Sequence, residues 1–107
     1  MPSTTLARGN ALQTFYVAPS LTPAAVSAAI TAAQTFTVPG LQTTDHVFVS
    51  CQGGQTAGIF ISDARVSAEN TLSIQFGNVT AGSLTPAAGT YILDVIRFEG
   101  PLPATAV

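Results

Sequence analysis

The sequence contains no lysine and no tryptophan, one cysteine (Cys51), and only 7% charged residues in a chain of 107. Each shortage excludes something. A single cysteine cannot build an internal disulfide framework, which fits assembly in a reducing compartment or indifference to redox state. Three arginines against five acids, a net charge of −2, leave no basic face to neutralise phosphates, so no nucleic-acid partner is expected. No apolar run approaches the length of a transmembrane helix, so no membrane partner is expected either. The first residues read as lacking a secretory signal, because Arg8 stands where an apolar run would have to be. An ordinary soluble domain has roughly 25% charged residues, and mixed surface charge is what keeps a free monomer soluble. A small domain with so little charge is expected to cover much of its surface with neighbours; the plainer alternative is a neutral monomer coated with Ser and Thr.

What is there is β-forming. The length corresponds to one domain. The stretch Gly58–Phe76, GIFISDARVSAENTLSIQF, reads as two strands around a polar turn, with Leu72, Ile74 and Phe76 alternating with Ser73 and Gln75. If the loop holds five residues, or a bulge has the same effect, Val66 faces Leu72 and Ala64 faces Ile74. The second face then carries Ile59, Ile61, Asp63, Arg65, Ser73 and Gln75. A four-residue loop would put Asp63 and Arg65 on the apolar face, at a cost in free energy unless they pair. The five-residue spacing is therefore preferred.

Along the rest of the chain, residues 1–20 read as an N-terminal arm with a short strand near Phe15–Val17, residues 21–100 as the β-domain, and residues 101–107 as a proline-containing tail. Residues 24–31 have Ala-rich helix propensity but alternate at Val26, Ala28 and Ile30, and are read as a strand, followed by another at 34–38. Pro39-Gly40 is a turn. Asp45–Ser50 is a strand with Val47 and Val49 on one face and His46 and Phe48 on the other. Residues 77–89 are a connection. Thr90–Phe98 is a strand with two apolar faces: Tyr91, Leu93 and Val95, and Ile92, Ile96 and Phe98 with Asp94 among them. Short strands separated by turns predict an all-β fold, an antiparallel β-sandwich of jelly-roll-like type with a short arm. The expected core is Phe36, Val38, Val47, Val49, Val66, Leu72, Ile74, Phe76, Leu93 and Val95.

Residues able to do chemistry are few. His46 is the sole histidine, near Asp45, Ser50 and Cys51. Adjacent strand residues point to opposite faces, so Asp45 cannot orient His46. Ser50 shares the face of His46 but lies roughly 13 Å away along a strand. No catalytic residue is assigned and no enzyme is expected. No metal-ligand spacing or phosphate-binding loop is present, so no cofactor is expected. Asn78-Val79-Thr80 fits a glycosylation sequon and is read as chance. Asp63, Arg65, Asp94 and Arg97 are expected to pair across strands or across a subunit boundary.

Three segments within residues 35–98 carry a resemblance: TFTVPGL, HVFVS and AGIFISDARVSAENTLSIQFGNVTAGSLTPAAGTYILDVIRF. Together they resemble a small β-domain recurrent in virion proteins of tailed bacteriophages, similar to head decoration (cement) proteins and to parts of head or tail fibres. The resemblance implies a structural protein on the capsid surface of the virion, assembled in the host cytoplasm. With the low charge, the second apolar face of Thr90–Phe98 and the apolar arm residues, a homotrimer bound across major capsid protein subunits is expected. A fibre or baseplate domain that binds host surface glycan is the alternative; exposed aromatics beside carboxylates or amides in a groove would mark it. The expected subunit or capsid interface is Leu6, Leu12 and Phe15 of the arm with Phe48, Ile92, Ile96 and Phe98. The 92/96/98 face is covered either by such a neighbour or by a second sheet of the same subunit.

Overall fold

The computed structural model describes residues 10–105, and every regular element in them is a strand. In chain order these are β1 (Ala11–Val17), β2 (Ser20–Leu21), β3 (Thr31–Thr37), β4 (His46–Cys51), β5 (Ile59–Ala68), β6 (Thr71–Asn78) and β7 (Gly89–Phe98). They form two antiparallel sheets, β3-β6-β5 and a four-stranded sheet centred on β7. The chain is an all-β sandwich.

Two bulges decide which way the residues of the β5–β6 hairpin point. Val66 lies opposite Leu72 and Ala64 opposite Ile74, the pairing that five-residue spacing requires. The extra residue is absorbed by a bulge at Ser67, so that Ala68 pairs with Thr71 across the Glu69-Asn70 turn. Asn70 holds a φ of 61°, a left-handed conformation asparagine tolerates better than most residues. A second bulge, at Ser62, corrects the expectation that Ile59 and Ile61 share a face with Asp63 and Arg65. Ile61 lies opposite Phe76 and Ile59 opposite Asn78, on the core side, while Asp63 and Arg65 stay outside. One inserted residue thus lets a single strand turn its apolar half in and its charged half out.

The four-stranded sheet corrects the arm. Residues 11–17 pair along β7 from Phe98 to Leu93, and Ser20-Leu21 continue in the same register opposite Thr90 and Gly89. The Pro19 carbonyl between them still accepts the Tyr91 N–H at 2.9 Å. Residues 11–21 are therefore one interrupted edge strand of the sandwich; residues 1–9, Leu6 among them, lie outside the described residues. β4 pairs with the opposite edge of β7, His46 to Ile96 through Cys51 to Tyr91.

The core lies between the sheets. Eight of the ten expected core residues are buried; Phe36 and Val49 are half-buried against the cluster. Leu21, Val26, Leu41, Ile59 and Tyr91 complete it. Leu72, Ile74, Phe76, Leu93 and Val95 retain no exposed surface. The strand expected over 24–31 is absent: residues 24–30 form a loop with one bridge, Val26 to Leu84, and Thr31 begins β3. Backbone bonds from Val26, Ala29 and Ile30 to Leu84, Thr80 and Asn78 hold this loop together with side-chain clamps. The Gln34 amide clamps both the N–H and the carbonyl of Ala24, at 2.7 and 2.8 Å. The buried Asn78 donates to the carbonyls of Val26 and Gly82, and its oxygen accepts the Thr80 N–H. The sequon asparagine is thus 3% exposed and internally bonded, a structural tie between two loops. Gly58 permits the crossing: its φ is +92°, and a Cβ there would come within 2.6 Å of the Thr80 methyl.

Candidate interaction face

Strand alternation gives β7 two faces. Tyr91, Leu93 and Val95 enter the core, so Ile92, Asp94, Ile96 and Phe98 point outward. The flanking strands keep the same parity. Thr14 and Tyr16 of β1 lie beside Ile96 and Asp94, and His46, Phe48 and Ser50 of β4 lie beside Ile96, Asp94 and Ile92. Among the described residues no strand covers this side. Tyr16 is 68% exposed and Phe48 55% exposed; Ile92, Ile96 and Phe98 are half-buried among their neighbours. The His46 ring packs edge-on against Phe48, centroids 4.7 Å apart.

At the middle of the face sits a carboxylate. Asp94 has Tyr16 and Phe48 as cross-strand neighbours and Ile92 and Ile96 along its own strand. Its Oδ1 is shut off from solvent and accepts no hydrogen bond, alone among the buried side-chain polar atoms of the described residues. Such an atom loses hydration without compensation.

The other acid of this sheet is fully employed. Asp45 receives Arg97 in a two-pronged contact, Nε to Oδ1 and Nη2 to Oδ2, both 2.9 Å. Oδ2 also accepts the Gln42 N–H, and Arg97 Nη2 donates to the Gly40 carbonyl at 3.0 Å. The Arg97 guanidinium, hydrogen-bonded to Asp45, holds its carboxyl below the usual carboxylate range, against the opposing effect of burial. The same guanidinium lies 5.1 Å from the centroid of the Phe15 ring. The cross-strand pairing expected for Arg97 therefore goes to Asp45 instead of Asp94, while Asp63 and Arg65 stand exposed on the far sheet. Asn70 completes the join: its side chain accepts the Gly40 N–H at 2.8 Å, and its backbone bonds Val38 and Leu41. The turn after β3 is thus tied both to the hairpin tip and to β7.

The residues considered for chemistry are dispersed. Asp45 faces Arg97, whereas His46 is on the open face with Phe48. Cys51 is half-buried on the core side, opposite Tyr91. Burial pushes the Tyr91 hydroxyl above its ordinary pKa, and that hydroxyl donates to the Ala87 carbonyl and accepts from Gln55. Among the described residues no three of His, Cys, Asp and Glu gather closely enough to hold a metal ion.

Of the expected interface residues, the structure brings Phe48, Ile92, Ile96 and Phe98 onto one outer face. Leu12 is exposed at the bulge of β1, which borders β7. Phe15 is placed differently: it lies opposite Val95, packs against the core and faces Arg97. Tyr16 joins the face unforeseen, beside Asp94, which alternation had already set there. Tyr16 was hidden by reading residues 1–20 as an arm; placing β1 on β7 is what puts it beside Asp94. Comparison with family models, with curated proteins and with solved structures finds no match for the chain.

Proposed function

We propose that this chain is a virion structural protein of a tailed bacteriophage, a decoration or cement protein that stabilises the head shell by binding across major capsid protein subunits. The observation that carries the reading is the uncovered face of Tyr16, Phe48, Ile92, Ile96 and Phe98 on a domain with few charges. Contiguous exposed apolar surface of this kind is the usual mark of a docking site. The resemblance of residues 35–98 supports the class of protein. The proposed assembly is a homotrimer on the capsid surface, where closed threefold symmetry allows head-to-tail contacts without filament growth. Several modest contacts made at once then act together, and binding only the expanded shell stabilises that state by linkage. No catalysis, cofactor, membrane or nucleic acid enters this reading.

Ile96→Asp tests it. The variant should sediment as a folded protein that no longer binds heads assembled without this chain. Global unfolding would mean that the face belongs to the fold, and unaltered trimers that still bind heads would refute the assignment of the face. A second reading, a fibre or baseplate domain that binds host glycan, draws on the Tyr16–Asp94–Phe48 row, since aromatic rings beside a carboxylate suit a sugar. The half-buried aliphatics around that row favour a protein partner. Binding to host cells or to their surface polysaccharide, without binding to heads, would select the glycan reading.

A further inference from the structure

We infer that the occupant of the open face inserts a cationic side chain, an arginine or lysine of a different polypeptide, between Tyr16 and Phe48 to meet Asp94. The inference rests on the shell-binding reading only for the identity of that polypeptide.

The chemistry is local. The half-buried Asp94 carboxylate has a buried, unbonded Oδ1 and makes no other hydrogen bond or ion pair, so a donor that reaches the carboxylate from the open side recovers interaction without having to displace an existing one. The two cross-strand neighbours are aromatic and largely exposed. Aromatic faces attract cations, and a charged donor makes the stronger bond to a carboxylate. Ile92 and Ile96 on either side keep water from competing once the face is covered.

The cation comes from outside this chain's described surface. The sequence has no lysine. Arg97 is committed to Asp45 and Gly40, and Arg65 is on the outer face of the opposite sheet. A second copy docked about a twofold centred on this face would set Asp94 against Asp94, two like charges with no donor between them. An apolar partner surface bearing one arginine or lysine complements the row; a second copy of the face does not.

Two measurements decide it. Binding of wild type and Asp94→Asn to heads lacking this chain is compared at low and high salt. The variant should bind about tenfold more weakly, as loss of one charge-assisted bond implies, with a flatter salt dependence and a melting temperature no lower than wild type. Independently of heads, N-acetylarginine amide and its uncharged analogue N-acetylcitrulline amide are titrated into the labelled protein. The backbone resonances of Tyr16, Phe48 and Asp94 should move with the arginine compound alone, and not in Asp94→Asn. Equal responses to both compounds, or none, overturn the inference. So does head binding that Asp94→Asn leaves unchanged, although the shell-binding reading then survives. An arginine response in a protein that binds no heads keeps the cation site and removes the shell reading. A response to neutral oligosaccharide but not to arginine overturns the inference in favour of glycan. If the Asp94-dependent salt effect appears in self-association and disappears with Arg65→Gln or Arg8→Gln, the cation belongs to this chain and the inference fails.

Discussion

The sandwich has two outer faces, built by the same alternation from strands of similar length, and they differ in kind. On the three-stranded sheet the outward residues are Thr31, Ala33, Thr35, Asp63, Arg65, Ser73 and Gln75, small or polar apart from Phe60 at one end, and some of them bond one another. Ser62 Oγ lies within hydrogen-bonding distance of the Gln75 backbone and side-chain oxygens, and Gln75 Nε2 reaches Thr31 Oγ1 at 3.4 Å. On the four-stranded sheet the outward residues are mostly aromatic and aliphatic, around a carboxylate oxygen with no partner. Both sheets fold over one core, so folding does not require an apolar outside. A polar outer face suits a free protein; the other is the face proposed for docking.

Each prediction presses on this contrast. The largest effect should come from the core shared by both faces. Ile74→Ala removes a side chain with no exposed surface and should cost about 2–5 kcal/mol in denaturant unfolding; an unchanged midpoint would break the sandwich on which the comparison depends. Next is the ion pair that fixes the turn before β4 to β7. Asp45→Ala leaves Arg97 without its carboxylate and should cost about 3 kcal/mol. Because Asp45 has a depressed pKa in the folded state, its contribution is complete above the unfolded value of about 3.9. It is lost as pH falls through the lower folded value. Wild type should therefore lose stability in this acid range more steeply than Asp45→Asn, as thermal melts at stepped pH would show.

Two exposed phenylalanines sharpen the contrast further. Phe60, 43% exposed on the polar side, lays its ring over the backbone of Gly77, in the space a Cβ would need. Phe60→Ala should therefore cost about 1 kcal/mol, the protection a cross-strand aromatic gives a strand glycine. Phe48→Ala should change stability by less than about 0.5 kcal/mol yet abolish binding to heads. Equal stability losses for the two would erase the distinction between a structural ring and a docking ring. The smallest effect has the opposite sign. Asp94→Val removes the unpaired oxygen and should raise the unfolding free energy by about 1 kcal/mol; a loss would mean that the carboxylate is satisfied in the free protein.

Much of this was legible in the alternation of the sequence. Parity alone placed Leu72, Ile74 and Phe76 inside and set Ile92 and Ile96 on one face and Phe48 opposite Val47 and Val49, because a strand has only two sides; that β4 lies beside β7 comes from the fold. The bulge at Ser62 was not legible: an extra residue in a strand has no signature when Ile, Ser and Asp all suit an edge. The segment 24–31 failed for a related reason. Its small side chains alternate as a strand would, but it is held by the nearby Gln34 amide and by the distant segment 78–84, through the Asn78 amide and backbone bonds. Tyr16 and Asp94 were visible as residues and invisible as neighbours, since their meeting depends on which strand lies beside β7.

The position of β7 has a consequence for how the molecule comes into being. The hairpin partners β5 and β6 are adjacent in sequence, but β7 follows all of its partners and pairs with strands that precede it by dozens of residues. Pairings that close long loops form slowly, after local ones. During synthesis β1, β2 and β4 must wait without their central strand until residues 89–98 leave the ribosome. The surface proposed for docking does not exist before then, so an unfinished chain has no assembled site with which to engage a shell too early.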